Sequence, residues 1–206
     1  MKSWKWKREK NQWVSKIPGP LKEDPMNRFL HFILFLDNGF QLALSDLRKF
    51  AKVELLSEKE LSEELKELGP DILKVSFDEF SKKISSKKKA IKEILMDQRI
   101  FSGVGNIYSD EALFLAKIHP LRKSSEIKRS ELKKLYFSLR KVLLKAIELG
   151  GESISDYRKP NGTKGEFDKL RKVYRKTGEK CFVCNGIIKR IKIGARSAHF
   201  CPNCQK

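Results

Sequence analysis

The sequence predicts an α+β chain with a β fragment in front, helices through the middle and a metal-holding β-hairpin at the end. Three observations carry that class. Residues 29–36, FLHFILFL, form a β-friendly run that the turn signal Asp37-Asn38-Gly39 closes and FQLALS answers. Between residues 57 and 149, apolar residues recur at helical spacing behind capping signals. The cysteines all lie after Lys180, as Cys181-Phe-Val-Cys184 and Cys201-Pro-Asn-Cys204.

Taken in order, residues 1–28 place Trp4, Trp6 and Trp13 among Lys and Pro without helical periodicity, which reads as an irregular loop with a short strand. The hairpin follows. Ser57-Glu58-Lys59-Glu60 is a capping box, and Leu61, Leu65 and Leu68 then repeat at helical spacing until Gly69-Pro70. Ser76 to Glu79 forms a second box ahead of Phe80 and Ile84. A third helix is expected over 87–96, with Ala90, Ile91, Ile94 and Leu95 on one side, and a fourth over 107–116, stopped before Pro120. The longest covers 130–149, where Leu132, Leu135, Tyr136, Leu139, Val142, Leu143 and Ala146 make one core-facing stripe. Gly150-Gly151 ends it. Residues 152–180 are polar and basic, with Gly162 and Gly165 bracketing a loop, and no internal repeat is visible.

Composition narrows the function classes. Of 206 residues, 45 are Lys or Arg against 26 Asp or Glu, a net charge of +19 that draws in polyanions and opposes self-association. Nucleic acid is the expected partner and a monomer the expected state, with a merely solvated Lys-rich surface as the plain alternative. No apolar run approaches the roughly 18 residues of a membrane span, and MKSWKWKREK has no apolar core behind its charge. A cytoplasmic location is expected. A disulfide scaffold would spread cysteines over the fold, and a redox motif would place one pair beside a βαβ unit. Two CxxC pairs flanking residues 185–200 fit instead one structural zinc ion held by Cys181, Cys184, Cys201 and Cys204.

The stretch FSGVGNIYSDEA, residues 101–112, raises the question of a phosphate site. A mononucleotide loop needs GxxxxGK[ST] after a strand, and a dinucleotide fingerprint needs three glycines; this stretch meets neither pattern. A tight interhelical turn fits better. Gly103 and Gly105 allow close approach of backbone to a ligand, and Asn106 is placed as N-cap with its amide toward an anion. The preceding Lys87, Lys88, Lys89 and Lys92 favour backbone phosphate over a purely structural turn.

These residues combine into a resemblance. LMDQRIFSGVGNIYSDEALFLAKIHP resembles the helix–two-turn–helix motif of the formamidopyrimidine-DNA glycosylase family, which includes the endonuclease VIII-type enzymes. CFVCNGIIKRIKIGARSAHFCPNCQK resembles that family's C-terminal zinc finger, and GTKGEF with KVYRKTGEKC its lesion-loop linker. NRFLHF, LDNG and LSDLRKF resemble the last part of its N-terminal β domain, so the likeness runs over most of residues 22–206.

The resemblance implies a remnant of a β-sandwich over 1–56, a helix–two-turn–helix domain over 57–157, and a lesion loop with zinc finger over 158–206. It implies base excision of oxidised purines with strand cleavage at the abasic site, on damaged or abasic double-stranded DNA in a bacterial-type, nucleoid-associated setting. Asn106 would contact DNA phosphate, helped by Gly103 and Gly105, with Lys87, Lys88 and Lys92 against the backbone. Arg196 would grip the phosphates flanking an extruded nucleotide and, in the full family enzyme, assist δ-elimination. Arg48 and Phe50 would fill the gap that the extruded base leaves, while Thr163 and Lys164 would close over the base. Two departures stand out: Asp46-Leu47-Arg48-Lys49-Phe50 replaces Asp-Pro-Arg-Arg-Phe, and Arg175 stands where glycine is usual.

The family's chemistry starts from an N-terminal proline in a Pro-Glu-Leu-Pro-Glu-like opening, and these residues contain none. The expectation is therefore a chain that binds damaged DNA without catalysis of its own, completed by a missing N-terminal segment. The alternatives are a non-catalytic DNA-binding zinc protein derived from the family and an RNA-binding zinc protein.

Overall fold

The computed structural model describes residues 6–9, 12–15, 25–152, 159 and 163–206. Gly162 and the 157/158 boundary lie outside them. Contacts divide the chain into one compact unit of residues 1–55 with 149–168 and a second of residues 56–148 with 169–206. The sequence sets the zinc segment apart from the helices, whereas contacts group the two.

In the first unit, the tryptophan-bearing opening forms two strands rather than one. β1 (Trp6–Glu9) pairs antiparallel with β2 (Gln12–Ser15). The expected hairpin is present as β3 (Leu30–Phe35) and β4 (Gln41–Ser45), with Gly39 at φ 77 in its turn, a value that a side chain would strain. A register shift between Leu30 and Phe32 marks a bulge. Much of the hairpin's apolar surface stays open, with Phe35 69% and Leu42 62% exposed. Past the long helix, the Glu166 amide donates to the Leu149 carbonyl at 3.1 Å and that of Phe167 to Gly151 at 3.2 Å. Gly165 packs so close to Gly151 that an added Cβ would meet its carbonyl oxygen.

The second unit carries the helices. α1 (Glu58–Lys66) has the complete capping box, Ser57 with Glu60, yet none of its residues is buried and Leu61, Leu65 and Leu68 are open. α2 (Phe77–Ser85) is capped by Ser76, whose hydroxyl accepts from the Glu79 amide at 3.2 Å, and it buries Phe80 and Ile84 fully. α3 (Ile91–Met96) starts later than periodicity suggests. Ala90 bridges Lys123 and the Ile91 amide donates to the Arg122 carbonyl, so residues before Ile91 are drawn out of helical geometry.

α4 (Asn106–Ala116) and α5 (Arg129–Glu148) pack on each other. All seven residues of the predicted α5 stripe are buried. The Phe80 ring lies 5.2 Å from that of Phe101 and 5.4 Å from that of Tyr136, whose hydroxyl donates to the Val75 carbonyl at 2.8 Å. Gly150 and Gly151, at φ 71 and 86, end α5 as a left-handed stop. β5 (Lys189–Ile193) and β6 (Arg196–Phe200) close the chain as an antiparallel hairpin. Among the described residues, no helix is long and apolar enough to cross a membrane.

Candidate nucleic-acid interface

The turn before α4 is built by residues that the motif alone does not show. Gly103, at φ 87, donates its amide to Gln98 Oε1 at 3.1 Å, and Gln98 Nε2 donates to the Val104 carbonyl at 2.8 Å. Gln98 thus ties both sides of the turn, a role with no signal in residue spacing. An added Cβ at Gly105 would meet nothing within 4 Å, so open space lies before the helix start.

Asn106 is not the N-cap that the sequence suggests. Gly105 is, in extended geometry, with no side-chain cap bond, and Asn106 is the first helical residue. Its Oδ1 is buried without a hydrogen-bond partner. The amide's other end, Nδ2, is the one able to donate to an anion, beside a helix start whose first amides lack intrahelical acceptors.

Lys92 also departs from expectation. Lys87 and Lys88 are exposed, but Lys92 is 1% exposed and points inward, which corrects its placement as a phosphate contact. Its ammonium donates to the Asn106 carbonyl at 2.7 Å, Ser109 Oγ at 2.7 Å and Asp110 Oδ1 at 2.6 Å. Three donors meet three acceptors and none is left for DNA. Burial lowers the Lys92 pKa and the facing Asp110 carboxylate works against that shift. The other Asp110 oxygen accepts from the His199 amide at 2.9 Å and lies 3.1 Å from His199 Nδ1, on β6.

The adjacent Glu111 makes a second junction. Its carboxylate accepts the amides of Lys172, Val173 and Tyr174 at 2.8–3.0 Å. Burial raises its pKa, and those three donors work against the rise. The clasp draws the next residue, Arg175, into the left-handed region at φ 59, where the resemblance expects glycine. Arg175→Gly is expected to stabilise the unit by about 0.5–1 kcal/mol, because only a side chain is penalised there. A thermal melt should show the rise; an unchanged or lowered midpoint would mean that the arginine's own contacts outweigh the strain.

The four cysteine sulfurs lie within 4.8 Å of one another. Cys184 and Cys201 Sγ are 3.4 Å apart and Cys181 and Cys204 Sγ 3.8 Å, too long for disulfides, which need about 2.0 Å. A tetrahedral zinc with bonds of about 2.3 Å sets sulfurs about 3.8 Å apart, so these residues fit one structural zinc ion. The Gly186 amide and neighbouring thiols hold the exposed Cys184 thiol at about 7, while burial pushes Cys201 and Cys204 up. A Cβ at Gly186 would meet the Asn203 side chain, which would have to turn aside to admit it. Behind the sulfurs, Cys181 and Cys201 pack with Phe114 of α4, Val173 and Ile188, and Gln205 Nε2 donates to the Ile118 carbonyl at 2.9 Å. Arg196 opens β6 beside the Gly194-Ala195 turn, exposed, and among the described residues its guanidinium makes no hydrogen bond or ion pair.

In the first unit, Phe50 is 75% exposed with the Arg48 guanidinium 4.9 Å above its ring, so it is not a core residue. Asp46 shapes the loop between them by accepting the Arg48 and Ala51 amides at 3.0 and 2.7 Å. The Ala51 amide holds its carboxyl below the usual range. Thr163 and Lys164 are exposed, and the Thr163 carbonyl accepts the Lys159 amide at 2.9 Å.

Comparison with known proteins matches residues 68–158 to the formamidopyrimidine-DNA glycosylase H2TH domain and residues 178–206 to a zinc finger found in FPG and IleRS. The formamidopyrimidine-DNA glycosylase of Solibacter usitatus is 41% identical over 182 residues, covering 88% of this chain and 68% of the relative. That of Zymomonas mobilis is 41% identical over 196 residues, covering 92% and 72%. Among solved structures, the Lactococcus lactis Fpg complex with abasic-site DNA superposes with a TM-score of 0.73 at 40% identity, over 81% of this chain and 62% of that one. Thermus thermophilus MutM (Fpg) superposes with a TM-score of 0.76 at 31% identity, over 98% and 71%. The chain therefore spans about two thirds of the length of these relatives.

Proposed function

Because this chain belongs to the formamidopyrimidine-DNA glycosylase family, we propose that it grips damaged or abasic double-stranded DNA through the α4 turn and the zinc hairpin. The observation that carries this reading is Asn106 at the first position of α4, next to open space at Gly105, with its Oδ1 buried and unpaired; Nδ2 is the end of that amide that can donate to an anion. Arg196, exposed and without a protein partner among the described residues, supplies a second phosphate contact in the bidentate form that guanidinium favours. Zinc holds that arginine's strand in place and takes no part in chemistry. Lys87 and Lys88 add diffuse attraction. In the first unit, the preformed Arg48–Phe50 pair is the element proposed to fill the space of an extruded base, and Thr163 with Lys164 the element proposed to close over it.

Asn106→Ala is expected to weaken duplex binding about tenfold regardless of sequence or lesion, since phosphate contacts carry no base information. A titration in which only one lesion type loses affinity would contradict the assignment. These 206 residues are proposed to bind without excising, because none matches the N-terminal proline that the family uses as nucleophile. Incubation with an abasic duplex and borohydride should then leave no covalent adduct, and an adduct would overturn that part of the reading.

A further inference from the structure

Three polar residues without a role in the proposed phosphate contacts meet in the second unit's interior. Lys92 on α3, Asp110 on α4 and His199 on β6 are 1%, 1% and 7% exposed. They form a continuous chain: Lys92 Nζ to Asp110 Oδ1 at 2.6 Å, and Asp110 Oδ2 to both the amide and Nδ1 of His199 at 2.9 and 3.1 Å. The same ammonium holds the backbone carbonyl of Asn106 at 2.7 Å. Ser109 completes the bracket, accepting from Lys92 and donating to the Gly105 carbonyl at 2.7 Å. Asn106 therefore stands two hydrogen bonds from Asp110 and three from the zinc hairpin.

We infer that Asp110 is a positioning residue for DNA binding, one that locks the Gly105–Asn106 turn to the zinc hairpin so that both phosphate contacts are presented as one rigid element. The inference rests on the function proposed above and adds to it a connection that no residue spacing reveals. Its physical basis is geometric. A fully satisfied buried polar network has few alternative arrangements, so moving one end displaces the other. Apolar packing of Cys181 and Cys201 against Phe114 holds the hairpin to α4 but fixes no hydrogen-bond register; the Asp110 carboxylate does. On this view His199, two positions before a zinc ligand, is the hairpin's anchor and Lys92 the turn's anchor.

The test is a double-mutant cycle on the full chain, read by titration of an abasic duplex at fixed salt. In the parent background Asn106→Ala should weaken binding about tenfold. In an Asp110→Asn background, where the turn is no longer held, the same change should weaken it less than about twofold, with zinc still at one per chain. Equal factors in both backgrounds would overturn the inference, since a residue that merely stabilises the fold leaves the local contribution of Asn106 intact. Should Asp110→Asn not fold, His199→Phe serves in its place: it keeps a ring against Tyr174, 4.8 Å away, and the Lys92–Asp110 pair. Amide hydrogen exchange of Ser109 and Asp110 in the DNA-free His199→Phe protein should accelerate about tenfold or more. Unchanged exchange there would also overturn the coupling. A parent chain that binds no duplex would count against the proposed function and not against this coupling, which exchange reads without DNA.

Discussion

Chelation of the metal, or Cys204→Ser, is expected to release zinc, unfold the closing hairpin and lower affinity for duplex DNA about a hundredfold. Structural zinc sites of this kind bind with roughly 10–16 kcal/mol of apparent free energy that is available only to the folded form. Within the hairpin itself, little else holds the two strands and the cysteine loops together. β5 and β6 make one two-stranded ladder, which is marginal alone, and the apolar cluster behind the sulfurs is Phe114, Val173, Cys181, Ile188 and Cys201. Two of those five are the ligands themselves. Loss of the metal would also free the strand carrying Arg196. Metal analysis, a thermal melt and a duplex titration on the same sample check the three effects together. A chain stripped of zinc that melts and binds as before would show that the ion is dispensable.

Lys92→Ala is expected to be nearly as damaging by a different route, costing about 3–5 kcal/mol. The substitution strands the Asp110 carboxylate, whose side chain is 0% exposed, with His199 as its remaining partner. It also removes the donor to the Asn106 carbonyl. The melting midpoint should fall by about 10 °C or more. Lys87→Ala, at an exposed position in the same basic run, should change stability by no more than about 0.5 kcal/mol while still weakening DNA binding. If the two substitutions destabilise equally, the buried pair contributes far less than its geometry implies.

The contrast between these lysines marks how far the sequence can be read. Lys87, Lys88 and Lys92 look alike in a string of letters. What separates them is Asp110, 18 positions on, and His199, 89 further still, and no periodicity links positions that far apart. The α5 stripe was legible because one face of a helix is set by a 3.6-residue period, and all seven of its residues are buried. The zinc site was legible because tetrahedral thiolate coordination needs two close pairs, and the four sulfurs do converge. The turn was half legible. Its glycines showed that something tight precedes α4, but glycine is also accepted at a helix N-cap at little cost relative to asparagine, and Gly105 takes that place, which moved Asn106 one position inward. Gln98 and Glu111, which shape the turn and clasp residues 172–174, bond to backbone, and backbone partners leave no trace in composition.

The Glu111 clasp has a further consequence, for the timing of synthesis. Its three amide donors lie 61 to 63 positions downstream, and the donor that satisfies the Ile118 carbonyl is Gln205, 87 positions after it. At ribosomal speeds of about 5–20 residues per second, α4 waits roughly 3–12 s with a carboxylate that its own helix cannot satisfy. The helical body can settle into final form only once residues through Gln205 have emerged from the ribosome, so α4 forms early in synthesis and finishes its packing late.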